Sequence, residues 1–190
     1  LIKINKHNAM KKNLGLIIVL VVVAIVIFGV IGFYNSTISL SEEVDNGWAQ
    51  VETQYQRRFD LIPNLVNAVK GSMEQETEIF GMIAEARTRY AGATTVDEKV
   101  GAATQVEQGL GRLLLVMENY PNLKSIDAVQ NLMTQLEGTE NRISVERKRF
   151  NDLVKTYNVK IKRFPANLMA GMFGFDVRNF FEAVEGSAVA

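Results

Sequence analysis

Hydrophobic and polar positions divide the chain sharply. From Leu14 to Phe33 the sequence reads LGLIIVLVVVAIVIFGVIGF, twenty residues with no charge, proline or strongly polar side chain. As a helix rising 1.5 Å per residue, such a run spans roughly 30 Å, the hydrocarbon thickness of a bilayer. A buried core helix would normally be shorter and keep a polar stripe. A cleaved signal peptide would have a shorter apolar region ending in a small-x-small site, whereas Tyr34-Asn35-Ser36-Thr37 follows here. An uncleaved signal anchor fits best.

Beyond the span, apolar residues recur at steps of three and four, the period of an amphipathic helix. Leu40, Val44, Trp48, Val51, Tyr55, Phe59 and Ile62 form the first such face. Pro63 interrupts it, so a kink or restart is expected there. The pattern resumes through Leu65, Val66, Val69, Met73, Phe80, Ile83, Ala86 and Tyr90, and breaks at Ala91-Gly92-Ala93-Thr94. Thr95 and Glu98 predict a capping box for a third helix running to Asn119-Tyr120-Pro121. Ser125 is then read as the cap of a fourth helix. In it Val129, Leu136, Ile143, Phe150 and Tyr157 fall seven apart, beside a second series of Ile126, Met133, Glu140, Arg147, Val154 and Ile161. Two such series predict a coiled-coil-like seam.

The expected fold is all-α: an N-terminal transmembrane helix followed by an elongated antiparallel, four-helix-type bundle. Residues 1–13 form a cytoplasmic segment, 14–33 the transmembrane helix with ends at Leu14 and Phe33, and 34–164 the bundle. Residues 165–190 form an apolar C-terminal segment. Here Pro165, Gly171 and Gly174 break a run too interrupted to span a membrane. The preferred reading of this segment is a lid folded on the bundle end; a subunit or membrane-surface contact through Met172, Phe173, Phe175, Phe180 and Phe181 is the alternative.

Charge adds an orientation. Lys3, Lys6, Lys11 and Lys12 precede the span, while Glu42, Glu43 and Asp45 follow it before the first basic residue, Arg57. The positive-inside bias puts the N-terminus in the cytoplasm and the large domain outside, in the periplasm or extracellular space. Met10-Lys11-Lys12 reads as a natural start, in which case two lysines carry this orientation. With the four N-terminal lysines set aside, 17 basic and 21 acidic residues leave a net charge of −4. That balance argues against nucleic-acid binding, which needs a basic face.

Candidate chemistry is sparse. The chain has no cysteine, and its one histidine, His7, precedes the span. Zinc sites, Cys–His and Ser–His nucleophiles and Glu-x-x-His di-iron bundles all need residues missing from the large domain. No phosphate-binding glycine loop or calcium-loop pattern occurs. No catalytic, cofactor-binding or metal residue is assigned, no cofactor or small-molecule substrate is expected, and an enzyme is disfavoured. Two polar features remain. Glu140 and Arg147 fall in the heptad seam, either solvated at its edge, the preferred reading, or paired and buried so as to set register. Arg57, Arg58, Asp60 and Asn64 surround Pro63, either as a polar kink that sets helix packing or as a docking site for a partner.

The order of these elements resembles a known family. The signal anchor is followed by Trp48 and by Arg57-Arg58-Phe59-Asp60-Leu61-Ile62-Pro63-Asn64-Leu65-Val66. Downstream come Glu118-Asn119-Tyr120-Pro121-Asn122-Leu123-Lys124, Tyr157-Asn158, Gly174-Phe175 and Phe180-Phe181-Glu182. Together they resemble the LemA family of bacterial membrane proteins, from Met10 onward. The resemblance implies an antiparallel bundle of long helices, no established enzymatic activity and a role in the bacterial envelope. It also implies that a membrane-bound metalloprotease is a possible partner; with no H-E-x-x-H of its own, this chain could only accompany one. The expected function is a non-enzymatic, membrane-anchored scaffold that contacts lipid and self-assembles into homo-oligomers. The alternative is an adaptor or regulator of a membrane-bound protease or envelope stress system.

Overall fold

The computed structural model describes the backbone of residues 2–181 and the side chains of residues 14–181 apart from Lys124. Among the described residues six helices follow one another: α1 (Ile2–Lys70), α2 (Thr77–Gly92), α3 (Val96–Met117), α4 (Pro121–Lys124), α5 (Asp127–Lys162) and α6 (Ala166–Phe173). The fold is all-α, one N-terminal apolar helix and a helical bundle, with no strand among the described residues. The four N-terminal lysines lie outside the described side chains.

Two compact units make up the chain. One comprises Leu1–Glu43 with Lys155–Arg178, the other Val44–Val154 with Asn179–Ala190. In the first, no residue of the most apolar stretch of α1 is buried, as expected of side chains that face lipid. Phe33 and Tyr34 close the run and meet Phe175 and Phe173, with ring centroids at 6.2 and 5.2 Å. Asn158 of α5 binds the backbone of Arg178 in both directions: its Nδ2 donates to the carbonyl at 2.8 Å, and its Oδ1 accepts from the N–H at 2.9 Å.

The second unit holds the main core. Val44, Trp48, Val51, Tyr55, Phe59 and Ile62 of α1 are all buried, as are Val129, Leu136, Ile143 and Phe150 of α5. The i, i+3, i+4 spacing places each set on one helical face, and burying those faces against one another drives association. Trp48 and Phe150 meet edge to face at 5.8 Å, Phe59 and Tyr90 at 4.6 Å. Thr95 and Glu98 form the predicted capping box: the Thr95 hydroxyl accepts from the Glu98 N–H, and the Glu98 carboxylate accepts from the N–H groups of Thr94 and Thr95. Those backbone donors hold the Glu98 carboxyl below the usual range.

Three local expectations need correction. Pro63 does not restart the helix, for α1 runs through it to Lys70. Phe59, Ile62, Leu65 and Val69 are buried on both sides of the proline, and that continuous apolar face offsets the one hydrogen bond proline cannot make. The break falls instead at residues 71–76, which the apolar pattern had passed over. Gly71 favours leaving the helix, and Ser72 and Met73 close the turn by donating to the Val69 carbonyl at 3.0 and 3.1 Å. Met73 stays fully buried outside any helix, and the α2 face starts anew with Ile79, Ile83, Ala86 and Tyr90. Periodicity could not reveal this, because a buried turn residue occupied a helical beat. Finally, the Ser125 hydroxyl donates back to the Asn122 carbonyl at 2.7 Å rather than capping α5, which begins at Asp127. Pro121 supplies the reason: as the first residue of α4 it nucleates one extra turn before α5.

Candidate functional site

The second unit takes charged side chains from three helices into its interior. Tyr55 and Arg58 lie one turn apart on α1, so they share a face. Glu107 of α3 follows buried Val106, at the margin of that helix's apolar stripe. Glu140 and Arg147 occupy the second heptad series of α5, two turns apart. The guanidinium of Arg58 bonds the Glu140 carboxylate and lies 3.8 Å from Glu107. Arg147 bonds both the Glu107 carboxylate and the Tyr55 hydroxyl, and that hydroxyl donates to Glu107 at 3.0 Å. Arg147 and Glu107 are each 17 % exposed, whereas Glu140 is 47 % exposed.

Glu140 and Arg147 therefore each bond a residue of another helix: Glu140 at a half-open edge, Arg147 in a largely enclosed one. The four residues around Pro63 also separate. Arg58 turns inward, while Arg57, Asp60 and Asn64 are exposed. Asp60 accepts from Gln56 Nε2 at 3.1 Å, and with Arg57 it lines an open groove of about 460 Å³ that includes Thr134, Gly138 and Arg142.

One ring caps the network. Phe181 is buried, stacks on Tyr55 and Trp48, and lies beneath the Arg147 guanidinium at 4.3 Å. A cation over an aromatic face is attracted by the ring quadrupole. Asn151 of α5 fixes that ring through its backbone, accepting from the Phe181 N–H at 2.8 Å and donating to its carbonyl at 3.0 Å. Of the other C-terminal candidates, Phe173 and Phe175 belong to the first unit, and Met172 and Phe180 are exposed. Residues 182–190 lie outside the described residues.

Sequence reasoning missed Glu107, the hydroxyl of Tyr55 and the two backbone-binding asparagines. Glu107 is one acid beside an apolar stripe, a weak signal because most such acids are solvated. Asn151 and Asn158 carry a better one, being seven apart and each following a buried aromatic, Phe150 or Tyr157. Among the described residues no cluster of His, Cys, Asp and Glu could hold a metal ion.

Burial dominates the electrostatics of the tyrosines Tyr55 and Tyr90. It pushes the Tyr55 phenol far above the tyrosine range, with the Glu107 carboxylate adding to the effect, and it raises Tyr90 likewise, with Glu52 adding. The arrangement joins α1, α3 and α5 through one phenol and two ion-paired arginines.

The LemA family model matches residues 47–190, which include the whole network and the block at residues 57–66. This chain belongs to the LemA family. Relatives of this family member include Magnetosome protein MamQ 2 of Paramagnetospirillum magneticum, 29% identical over 176 residues that cover 78% of this chain and 64% of the relative. Magnetosome protein MamQ of Magnetospirillum gryphiswaldense is 28% identical over 174 residues, with the same two coverages. Protein LemA of Metamycoplasma hominis is 22% identical over 178 residues, covering 88% of this chain and 81% of the relative. The chain thus spans 64% of the length of the magnetosome proteins it matches.

Glu107 gives this LemA-family bundle a pH dependence. Burial raises its carboxyl above the ordinary range, outweighing Arg147 and Arg58, which draw it down; Glu140 raises it further. The folded state then holds this proton more tightly than the unfolded chain. Its contribution to stability is full at low pH and declines as pH rises from the unfolded carboxyl value through the raised folded one. Comparing urea unfolding of the protein and its Glu107→Gln variant should show the wild type losing ground to the variant as pH rises from about 4 to 7, the region above a free glutamate's pKa. A pH-independent difference between the two would exclude the effect.

Proposed function

We propose that this LemA-family protein is a non-enzymatic scaffold of the bacterial envelope, anchored by residues 14–33 and self-associating through its bundle at 34–164. Its N-terminus lies in the cytoplasm and its C-terminal domain outside, following the lysines before the span and the acids after it. One observation carries this reading. The arginines and carboxylates enclosed by α1, α3 and α5 are joined to one another and to Tyr55. Buried charge used in this way fixes helix register; it leaves the network engaged in holding shape rather than poised toward a substrate.

Self-association draws support from a groove of about 500 Å³ lined by Leu114, Met117, Val129 and Met133 together with Glu118, Gln130 and Thr134, with Leu115 exposed next in sequence. Relatives named magnetosome proteins accord with an architectural role at a membrane. Gentle extraction of the full chain into native nanodiscs, followed by mass measurement, tests the proposal. Discrete homo-oligomers that fall apart on Leu115→Glu or Met133→Glu substitution are expected. Monomers at every concentration, with unchanged bundle folding, would overturn it.

A further inference from the structure

The ring contacts at the end of the apolar run locate a second membrane-facing element. Phe33 and Tyr34 mark where α1 ceases to be apolar, and hence the level at which it would leave the hydrocarbon. Tyr34 meets Phe173 at 5.2 Å and Phe175 at 5.7 Å, and Phe33 meets Phe175 at 6.2 Å. Lys160 Nζ sits 5.9 Å from the Phe33 ring and bonds the Ser36 hydroxyl. All these residues belong to one compact unit. The end of α6 is therefore held within ring-contact distance of the bilayer boundary.

What α6 leaves uncovered is the reverse of an aqueous surface. Only Ala170 of this helix is buried. Leu168 and Met172, four apart and so on one face, are 61 % and 82 % exposed, and Phe164 just before the helix is 81 % exposed. Exposed Lys162 ends α5 and exposed Arg163 follows it, directly before Phe164; Asp176 is the first acid after α6. A short apolar face preceded by two cations at the edge of a span is the composition of an interfacial element, with side chains in the acyl boundary and cations at the phosphates.

We propose that α6 lies in the membrane surface, with Phe164, Leu168 and Met172 entering the outer acyl region and Lys162 and Arg163 contacting anionic lipid headgroups. The proposal rests on the anchoring of residues 14–33 in a bilayer and commits to lipid as the occupant, because the face is continuous with that span. It gives the protein a second lipid contact besides its anchor.

The chain has no cysteine, so single labels can be placed cleanly. Leu168→Cys, Met172→Cys, Ile25→Cys and Val145→Cys variants of the full chain, each carrying a nitroxide, are reconstituted into phosphatidylcholine vesicles with or without phosphatidylglycerol. Collision with oxygen, which favours lipid, is compared with collision with a water-soluble nickel chelate. Positions 168 and 172 should show an oxygen-to-nickel ratio several-fold above that of 145 and below that of 25. The Lys162→Glu/Arg163→Glu pair should lower the ratio at 172 in phosphatidylglycerol vesicles alone; no change there would overturn the headgroup contact. A water-like ratio at 172 with lipid-like values at 25 overturns the proposal and leaves the anchor standing. Protection of 172 from both reagents means that protein covers the face and overturns it too. Water-like values at 25 overturn the anchor and the proposal together.

Discussion

Replacing Arg147 by alanine is expected to destabilise the bundle by about 3 kcal/mol, the low end of what removing one partner of a buried ion pair costs. The magnitude follows from what the substitution leaves behind. Glu107, 17 % exposed, is left with Arg58 at 3.8 Å as its nearest cation among the described residues, and Tyr55 loses the guanidinium that bonds its hydroxyl. Phe181 loses the cation over its ring, so the C-terminal segment held by Asn151 should loosen as well. Trp48 is the sole tryptophan and stacks on Phe181, so its fluorescence reports both events. Urea unfolding of the full chain in nanodiscs, followed through Trp48, measures the loss.

A second variant separates electrostatics from packing. Arg147→Met with Glu107→Leu removes both charges and keeps volume, while Arg58 retains Glu140. Because pairing in a low-dielectric interior rarely exceeds the desolvation it requires, the double variant should recover most of the lost stability. If it proves as unstable as Arg147→Ala, the network contributes through shape and the electrostatic account is wrong.

Gly109→Leu should lower stability by about 3 kcal/mol, the upper range for overpacking a filled core. α2 and α3 approach each other here more closely than a side chain allows. A Cβ at position 109 would stand 2.7 Å from Ile83 Cγ1 and 3.7 Å from Ile83 Cα. Ile83 is fully buried and β-branched, so it has little freedom to swing aside. Even Gly109→Ala should lose about 1 kcal/mol, the clash outweighing the gain in helix propensity. Gly111, two residues on, has nothing within 4 Å of its would-be Cβ. Gly111→Ala should therefore stabilise α3 by roughly 0.5–1 kcal/mol, the ordinary glycine-to-alanine increment. Thermal melts of the three variants check the contrast, and similar melting points for the two alanine variants would refute the close approach.

Local rules made much of this protein legible. Twenty apolar residues determine a helix able to span a bilayer, since a polypeptide must satisfy its own hydrogen bonds in lipid. Heptad spacing determined that Val129, Leu136, Ile143, Phe150 and Tyr157 share one buried face, because 3.6-residue periodicity is a property of one helix. Thr95 and Glu98 determined the start of α3, because a capping box closes within four residues. The all-α class followed from the same spacing, and the family from the resemblance carried by the block around Pro63 and the motifs downstream of it.

Tertiary structure alone decided which charges meet. Helical spacing puts Arg58 on the same face as Tyr55 and Arg57 off it, but which charge each meets was decided by docking: the first faces Glu140 and the second lines an outer groove. Glu107 lies 40 residues from Arg147 and 52 from Tyr55, separations at which pairing depends on how helices dock. The turn at residues 71–76 also awaited the fold, because burial of Met73 imitates a helical position. Hydrophobic periodicity records the face a helix buries; the partner it buries that face against, and the polar atoms trapped between them, are set by packing over the whole chain.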